Sequence, residues 1–332
     1  MSKKIAYGDA IRHGFEYILD NFDESFVIGQ GLWSPWYVGN TMTELDSKYG
    51  KSRIIDTPVS EAACTGLAVG ASLCGSRPIV VHPRIDFMLY AMDPIVNQAA
   101  KWSHMTGGNS NPSLTIRGII NRGGEQGAQH SQSLHAWFAH IPGLKVVMPY
   151  SALDARDLLI LSCKSDDPVI YIDDRWLYEE ESTLEEFDKN LSLDDIEPKI
   201  VKSGKDITIV SSSFGTKIAL DVANDKLFSS NISAEVIDLR IISPLKIDSI
   251  IESVKKTSNL VVIDGGTRTC GFASEVITSV VEVDKIHLNS SPLRITLPDS
   301  PAPTSKVLEH EYYLKKEEII DLLLKKYDQK NI

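Results

Sequence analysis

Short apolar runs rich in β-branched residues alternate with helical stretches along most of this chain, and that alternation leaves few folds open. Phe26-Val27-Ile28-Gly29, Arg53-Ile54-Ile55-Asp56, Pro78-Ile79-Val80-Val81, Leu114-Thr115-Ile116, Lys145-Val146-Val147-Met148 and Val169-Ile170-Tyr171-Ile172 read as strands. Between them lie expected helices at 5–22, 41–49, from Glu61 onward, 88–105, 134–140 and 152–163. In the first of these, Ile5, Ile11, Phe15, Ile18 and Leu19 form an apolar stripe. Strands separated by helices require crossover connections, so the sheet is expected to be largely parallel and covered on both faces. Over 179–198 acidic residues cluster and the periodicity fades, which reads as a linker. The alternation then restarts, with strands near 207–210, 235–237, 260–263 and 293–295 and helices at 217–227, 247–256, 272–280 and 317–327. The expected architecture is α/β with two domains, 1–180 and 201–332, joined by a linker at 181–200.

Composition narrows the function classes. At 332 residues the chain is long enough for two ordinary domains. A net charge of −11 argues against nucleic acid and against an anionic membrane surface as partners. No apolar run approaches the span of a bilayer, and Met1-Ser2-Lys3-Lys4-Ile5 does not read as a signal peptide. Cys64, Cys74, Cys163 and Cys270 are scattered, as buried thiols of a reducing compartment would be, so a cytoplasmic location is expected.

Glu61 is the only ionisable carboxylate between Asp56 and Asp86. It stands in Asp56-Thr57-Pro58-Val59-Ser60-Glu61-Ala62-Ala63-Cys64-Thr65-Gly66, where a strand gives way to a helix. Pro58 breaks the preceding element and Ser60 is a good N-cap. The small residues that follow let another backbone or a flat ligand come close. A carboxyl group so placed suits proton handling; its simpler reading is a charge that complements the helix dipole.

The second informative stretch is Asn121-Arg122-Gly123-Gly124-Glu125-Gln126-Gly127-Ala128-Gln129-His130-Ser131-Gln132-Ser133. A glycine-rich loop here presents His130 near an expected helix start, where an imidazole can shuttle protons or simply bond loop carbonyls. His130, His135 and His140 do not read as a zinc site. Residues five apart on a helix lie about 140° from one another and share no face.

Together these segments resemble the beta subunit of the thiamine-diphosphate-dependent first component of 2-oxo acid dehydrogenases. The pyruvate dehydrogenase type, within the transketolase family, is the nearest pattern. The resemblance rests on Arg53-Ile54-Ile55-Asp56-Thr57-Pro58-Val59-Ser60-Glu61, Gly75-Ser76-Arg77-Pro78-Ile79, Gln98-Ala99-Ala100-Lys101, Gln129-His130-Ser131-Gln132-Ser133 and the run 142–149. Val261-Val262-Ile263-Asp264-Gly265-Gly266, Pro301-Ala302-Pro303 and Leu308-Glu309 extend it to nearly the whole chain. It implies a pyrimidine-binding domain followed by a transketolase-type C-terminal domain.

The same resemblance implies roles. Glu61 would hydrogen-bond the aminopyrimidine ring of the cofactor and favour the imino form that deprotonates the thiazolium carbon. Phe87 would stack on the pyrimidine, although core packing is its simpler reading. Gln30, in Gly29-Gln30-Gly31, stands near the cofactor where the family usually has acidic residues. His130 would assist proton transfer or hold the substrate. The family's Gly-Asp-Gly…Asn-Asn diphosphate motif has no match: Gly8-Asp9-Ala10 falls in a helix, and no Asn-Asn follows Asp264-Gly265-Gly266. The diphosphate and its Mg2+ are therefore expected from an alpha subunit in an α2β2 heterotetramer, with no metal ligands in this chain. A lipoyl acyltransferase would be a separate protein. A monovalent cation such as K+ sits in some relatives before the strand at Val169, and residues 162–167 neither require nor exclude it.

Departures from the pattern cluster on the expected substrate side. Leu32-Trp33-Ser34-Pro35-Trp36-Tyr37 is unusually aromatic, Val81-His82-Pro83-Arg84 replaces an aromatic or acidic segment, and Pro94 replaces a Gln. His82 and Arg84 are candidate ligands for an extra anionic group, against the plainer reading of Arg84 as a surface ion pair. Two further readings remain: a split transketolase-like carboligase using a sugar or aldehyde acceptor, and a non-catalytic scaffold subunit.

Overall fold

The computed structural model describes residues 4–183 and 185–327. The chain separates into two compact units, Met1–Arg122 with Trp137–Ile196, and Gly123–Ala136 with Glu197–Ile332.

The first unit is built on a parallel sheet. Its strands run in the order Lys145–Val147, Val169–Asp174, Thr115–Ile120, Arg77–His82, Ser25–Gly29, Ile54–Asp56. Their inward residues are almost wholly β-branched, among them Val27, Ile54, Ile79, Val80, Ile116 and Ile170. That composition suits strands buried on both faces. Gly29, Asp56, His82, Ile120 and Asp174 all come to the carboxyl edge of the sheet, the edge at which open α/β sheets bind ligands. The helix Tyr7–Asn21 buries Ile11, Phe15, Ile18 and Leu19 and packs on the helix Ala152–Lys164.

Several expected elements change at their ends. Ile5 lies not on the first helix but in a short strand, Lys4–Ala6, antiparallel to Glu181–Thr183. That second strand lies in the acidic stretch, which also carries a 3-10 turn, Leu193–Asp195, closed by reciprocal bonds between Ser192 and Asp195. The helix expected over 41–49 shortens to Leu45–Tyr49, because Glu44 before it has a left-handed φ of 64°. The single helix expected over 88–105 is broken. An α turn, Ile85–Met88, passes through 3-10 geometry at Leu89–Ala91 and π geometry at Asp93–Ala99 before α geometry resumes at Ala100–Met105. Pro94 sits at the start of the π segment, where its missing N–H favours a change of hydrogen-bond register. The strand expected at 114–116 runs on to Ile120.

The second unit holds a five-stranded sheet in the order Lys199–Lys202, Ala234–Asp238, Ile207–Ser211, Leu260–Thr267, Leu293–Leu297. Only the first strand is antiparallel to its neighbour. Its core gathers Ile209, Val222, Phe228, Val236, Val261 and Leu323 from strands and helices. The helix Lys306–Tyr312 carried no periodic signal, because Val307 and Leu308 face solvent. No described helix is long and apolar enough to cross a membrane.

Candidate active site

Glu61 is placed by two strand ends and a tight approach. Gly29 closes its strand against the Val81 carbonyl, and a Cβ at Gly29 would collide with that oxygen. The Gly29 carbonyl in turn accepts from Thr57 N–H at 2.9 Å, and Asp56 Oδ1 accepts from Gly31 N–H at 2.6 Å. These bonds tie the two connections at the carboxyl edge together. The helix Glu61–Leu73 starts directly after them. Ser60 occupies the N-cap position, but its hydroxyl caps nothing: its backbone, at φ −160° and ψ 60°, does not turn the oxygen onto the first N–H groups. The expected serine cap is thus absent, and Glu61 is the only acidic residue in the first turn.

Glu61 is half-buried and shares a shallow depression with Gly29, Gln30, Pro58, Cys64 and His82. Gln30 Nε2 donates to the Tyr37 hydroxyl at 2.6 Å. His82 is 3% exposed, with Nε2 3.2 Å from the Thr65 hydroxyl one turn along the helix from Glu61. Burial pushes the His82 pKa down to about 4, so the ring is neutral at pH 7 and offers a hydrogen bond rather than a charge. Arg84 and Phe87, both half-buried, follow on the next turn of chain, with Arg84 preceding Ile85–Met88 and Phe87 within it.

His130 belongs to the second unit. It ends a turn whose N–H reaches the Gly127 carbonyl at 3.3 Å. Its loop is fastened at several points within that unit. Gly123 N–H donates to the Tyr313 hydroxyl at 3.1 Å, and Glu125 N–H to both carboxylate oxygens of buried Glu309, at 3.1 and 3.0 Å. His135 Nε2 lies 2.9 Å from Asp264 Oδ1, and its Nδ1 3.1 Å from the Ser133 hydroxyl. Burial alone would raise the Asp264 pKa; His135 and the Gly266 and Ala273 N–H groups outweigh that and hold the carboxyl below its ordinary value. Of the three histidines spaced by five, only His135 lies in the helix His135–Ala139. Among the described residues no group of His, Cys, Asp and Glu is arranged to hold a metal ion.

Sequence reasoning missed a second set of polar side chains at the same sheet edge. Arg117 is fully buried and forks onto Asp173 with two bonds of 2.8 Å, with further bonds to Thr41 and the Tyr178 hydroxyl. Burial works against its charge, but Asp173 and the neighbouring tyrosines outweigh it and raise the pKa. Arg122 Nε bonds Asp174 at 2.6 Å. Arg175 donates to Asn121 Oδ1 at 3.1 Å and to the Trp36 and Tyr37 carbonyls at 3.0 and 3.3 Å. The only signal in the sequence is an arginine inside an apolar strand and an Asp-Asp-Arg run closing another.

Comparison with known proteins fits this geometry. A model of the transketolase pyrimidine-binding domain matches residues 3–180, and one of the transketolase C-terminal domain matches 197–319. The pyruvate dehydrogenase E1 component subunit beta of Rickettsia bellii is 38% identical over 312 residues, covering 92% of this chain and 93% of that protein. The mitochondrial subunit of Saccharomyces cerevisiae is 35% identical over 312 residues, covering 93% and 85%. The chain belongs to the family of pyruvate dehydrogenase E1 beta subunits. Among solved structures, a split-gene transketolase described as an inactive beta4 tetramer superposes with a TM-score of 0.75 at 21% identity, covering 98% of this chain and 99% of that one. Transketolase from Campylobacter jejuni superposes with a TM-score of 0.72 at 12% identity, covering 98% of this chain and 47% of that one. These two likenesses show the fold alone. The E1 beta family membership fits a thiamine-diphosphate-dependent component, and the carboligase alternative is not favoured.

Proposed function

We propose that this E1 beta chain decarboxylates a pyruvate-like 2-oxo acid and passes the acyl unit to an acceptor such as lipoamide, together with an alpha subunit in an α2β2 assembly. The supporting observation is Glu61 at the first position of its helix, half-buried in a depression that it shares with Gln30 and neutral His82. The small, outward-facing residues after Glu61 let a flat ring come close to its carboxylate, which fits the pyrimidine end of thiamine diphosphate. When bound, the cofactor supplies a nucleophilic carbon and an electron sink. Glu61 would hold a proton at the ring nitrogen, Phe87 would stack on the ring, and Gln30 would add a hydrogen bond without charge. His130 would assist proton transfer. Arg84 would carry the positive charge on the substrate side; His82, being neutral, would contribute only a hydrogen bond. The alpha subunit would bring the diphosphate site and Mg2+, K+ would sit near residues 162–167, and a separate lipoyl acyltransferase would take the product. The four cysteines are free, but only Cys163 is buried as expected; Cys64 is half-buried and Cys74 and Cys270 are exposed, and unpaired exposed thiols fit a reducing, cytoplasmic setting.

The test is co-expression with a candidate alpha subunit, cofactor titration with magnesium, and dye reduction across a panel of 2-oxo acids. One acid should reduce the dye. Glu61→Gln should lower kcat/KM on the order of 10² to 10⁴ while the complex still assembles. Undiminished activity in Glu61→Gln, or a cofactor-loaded complex that oxidises no 2-oxo acid, would overturn the reading.

A further inference from the structure

Arg84, Asn121 and Arg175 follow the carboxyl ends of three adjacent strands, Arg77–His82, Thr115–Ile120 and Val169–Asp174. Asn121, from the central strand, joins the other two. Its Nδ2 donates to the Pro83 carbonyl at 3.1 Å, and its Oδ1 accepts from Arg175 at 3.1 Å. The remaining bonds of Arg175 go to the Trp36 and Tyr37 carbonyls. These oxygens are all neutral. The contrast lies next door, where Arg117 and Arg122 are closed by the buried carboxylates Asp173 and Asp174. Asp173 and Asp174 are therefore already engaged by other arginines, and Arg175 is bonded to neither.

Arg84 and Arg175 are both half-buried. Burial first, and then the like charge of Arg175, lower the Arg84 pKa, with Asp86 acting the other way. Two guanidinium groups brought together and partly out of water repel, and an oxyanion between them removes the repulsion while accepting forked hydrogen bonds. This strip is continuous with the Glu61 depression at two points. Pro83 lines the depression and accepts from Asn121; Gln30 lines it and bonds Tyr37, whose carbonyl accepts from Arg175.

We propose that the substrate carries a second oxyanion, a carboxylate or phosphate at the end remote from its 2-oxo acid group, and that Arg175 with Arg84 binds it. The inference rests on the 2-oxo acid reading above and names the substrate class. Arg175 is then a specificity residue that sequence reasoning did not single out.

The experiment has two arms. In the first, the alpha–beta complex loaded with cofactor is assayed on 2-oxo acids ending in methyl, carboxylate or phosphate. The expected result is a lower KM for one anion-terminated series. Arg175→Gln should raise that KM about 10- to 100-fold, the loss of a charged hydrogen bond, with kcat within about twofold and no change for methyl-terminated acids. Arg175→Lys should restore part of the affinity. A uniform effect of Arg175→Gln on every substrate, or none on any, would overturn the proposal. In the second arm the full chain alone is titrated calorimetrically with inorganic phosphate and with malonate. Saturable binding of one probe, lost in Arg175→Gln and in Arg84→Gln, supports the site and tells phosphate from carboxylate. Absence of binding, or binding unchanged in both variants, overturns it. The second arm needs no turnover, so a complex inactive on every 2-oxo acid defeats the functional reading and leaves the anion site testable.

Discussion

His82 ends the strand Arg77–His82 with its ring almost wholly out of water and its Nε2 against the Thr65 hydroxyl. From sequence, His82 and Arg84 look like a matched pair of cations two residues apart. Burial separates them, because degree of burial is set by the surrounding fold and not by the residue's own neighbours. The consequence for stability has a definite sign. The folded pKa, about 4, lies below the unfolded value of about 6.5. The unfolded state therefore binds the proton first, and the contribution is fully present above about pH 6.5 and lost as pH falls toward 4. Between pH 7 and pH 5 the wild type should lose about 2 kcal/mol that His82→Gln does not lose. Urea unfolding of both proteins at the two pH values measures this. Equal losses in the two would place the titrating group elsewhere. The place of Glu61 at a helix start, by contrast, is legible in sequence, because Pro58 and the run of small residues around it are a local signal.

At the scale of elements, the strand Thr115–Ile120 shows what periodicity can and cannot reveal. The sequence suggested a strand ending at Ile116, since Arg117 interrupts the apolar run. Its charge is accommodated by a partner 56 residues away, Asp173 on the adjoining strand, and no local pattern encodes that pairing. The π segment at Asp93–Ala99 escaped for a similar reason: the apolar residues keep a helical spacing while the hydrogen-bond register shifts around Pro94. The buried fork makes a clear prediction. Arg117→Leu leaves Asp173 as an uncompensated charge in the sheet and should destabilise the chain by about 3–5 kcal/mol. Arg117→Leu combined with Asp173→Leu removes both charges and should cost clearly less than the single change. Midpoints of denaturant unfolding decide it. A double variant worse than the sum of the two single ones would mean that the pair does more than neutralise itself. The loop 123–136 teaches the same lesson. Its glycines marked a loop, but its fastening to Tyr313, Glu309 and Asp264 is long-range and invisible in sequence.

For the molecule as a whole, the alternation of strands and helices was readable because each element carries its own signal, and sheet order and exposure were not because they depend on distant chain. The helix Glu61–Leu73 joins the two kinds of information. Thr65, Ala68, Val69 and Ser72 are buried against the first unit, while Ala62, Ala63, Gly66, Leu67 and Gly70 face outward. A Cβ added at Gly66 or Gly70 would meet nothing within 4 Å. Internal packing of this chain therefore gives no reason for either glycine, yet each weakens an exposed helix by about 1 kcal/mol relative to alanine. Gly66→Ala with Gly70→Ala should raise the stability of the isolated chain by about 1–2 kcal/mol, read as a higher Tm. The proposed α2β2 assembly supplies the missing reason if another backbone comes close to this face, and the same double change should then reduce co-purification with the alpha subunit. A lower Tm would show that the glycines serve the fold itself. A higher Tm with undiminished co-purification would show that nothing in the assembly approaches closely there.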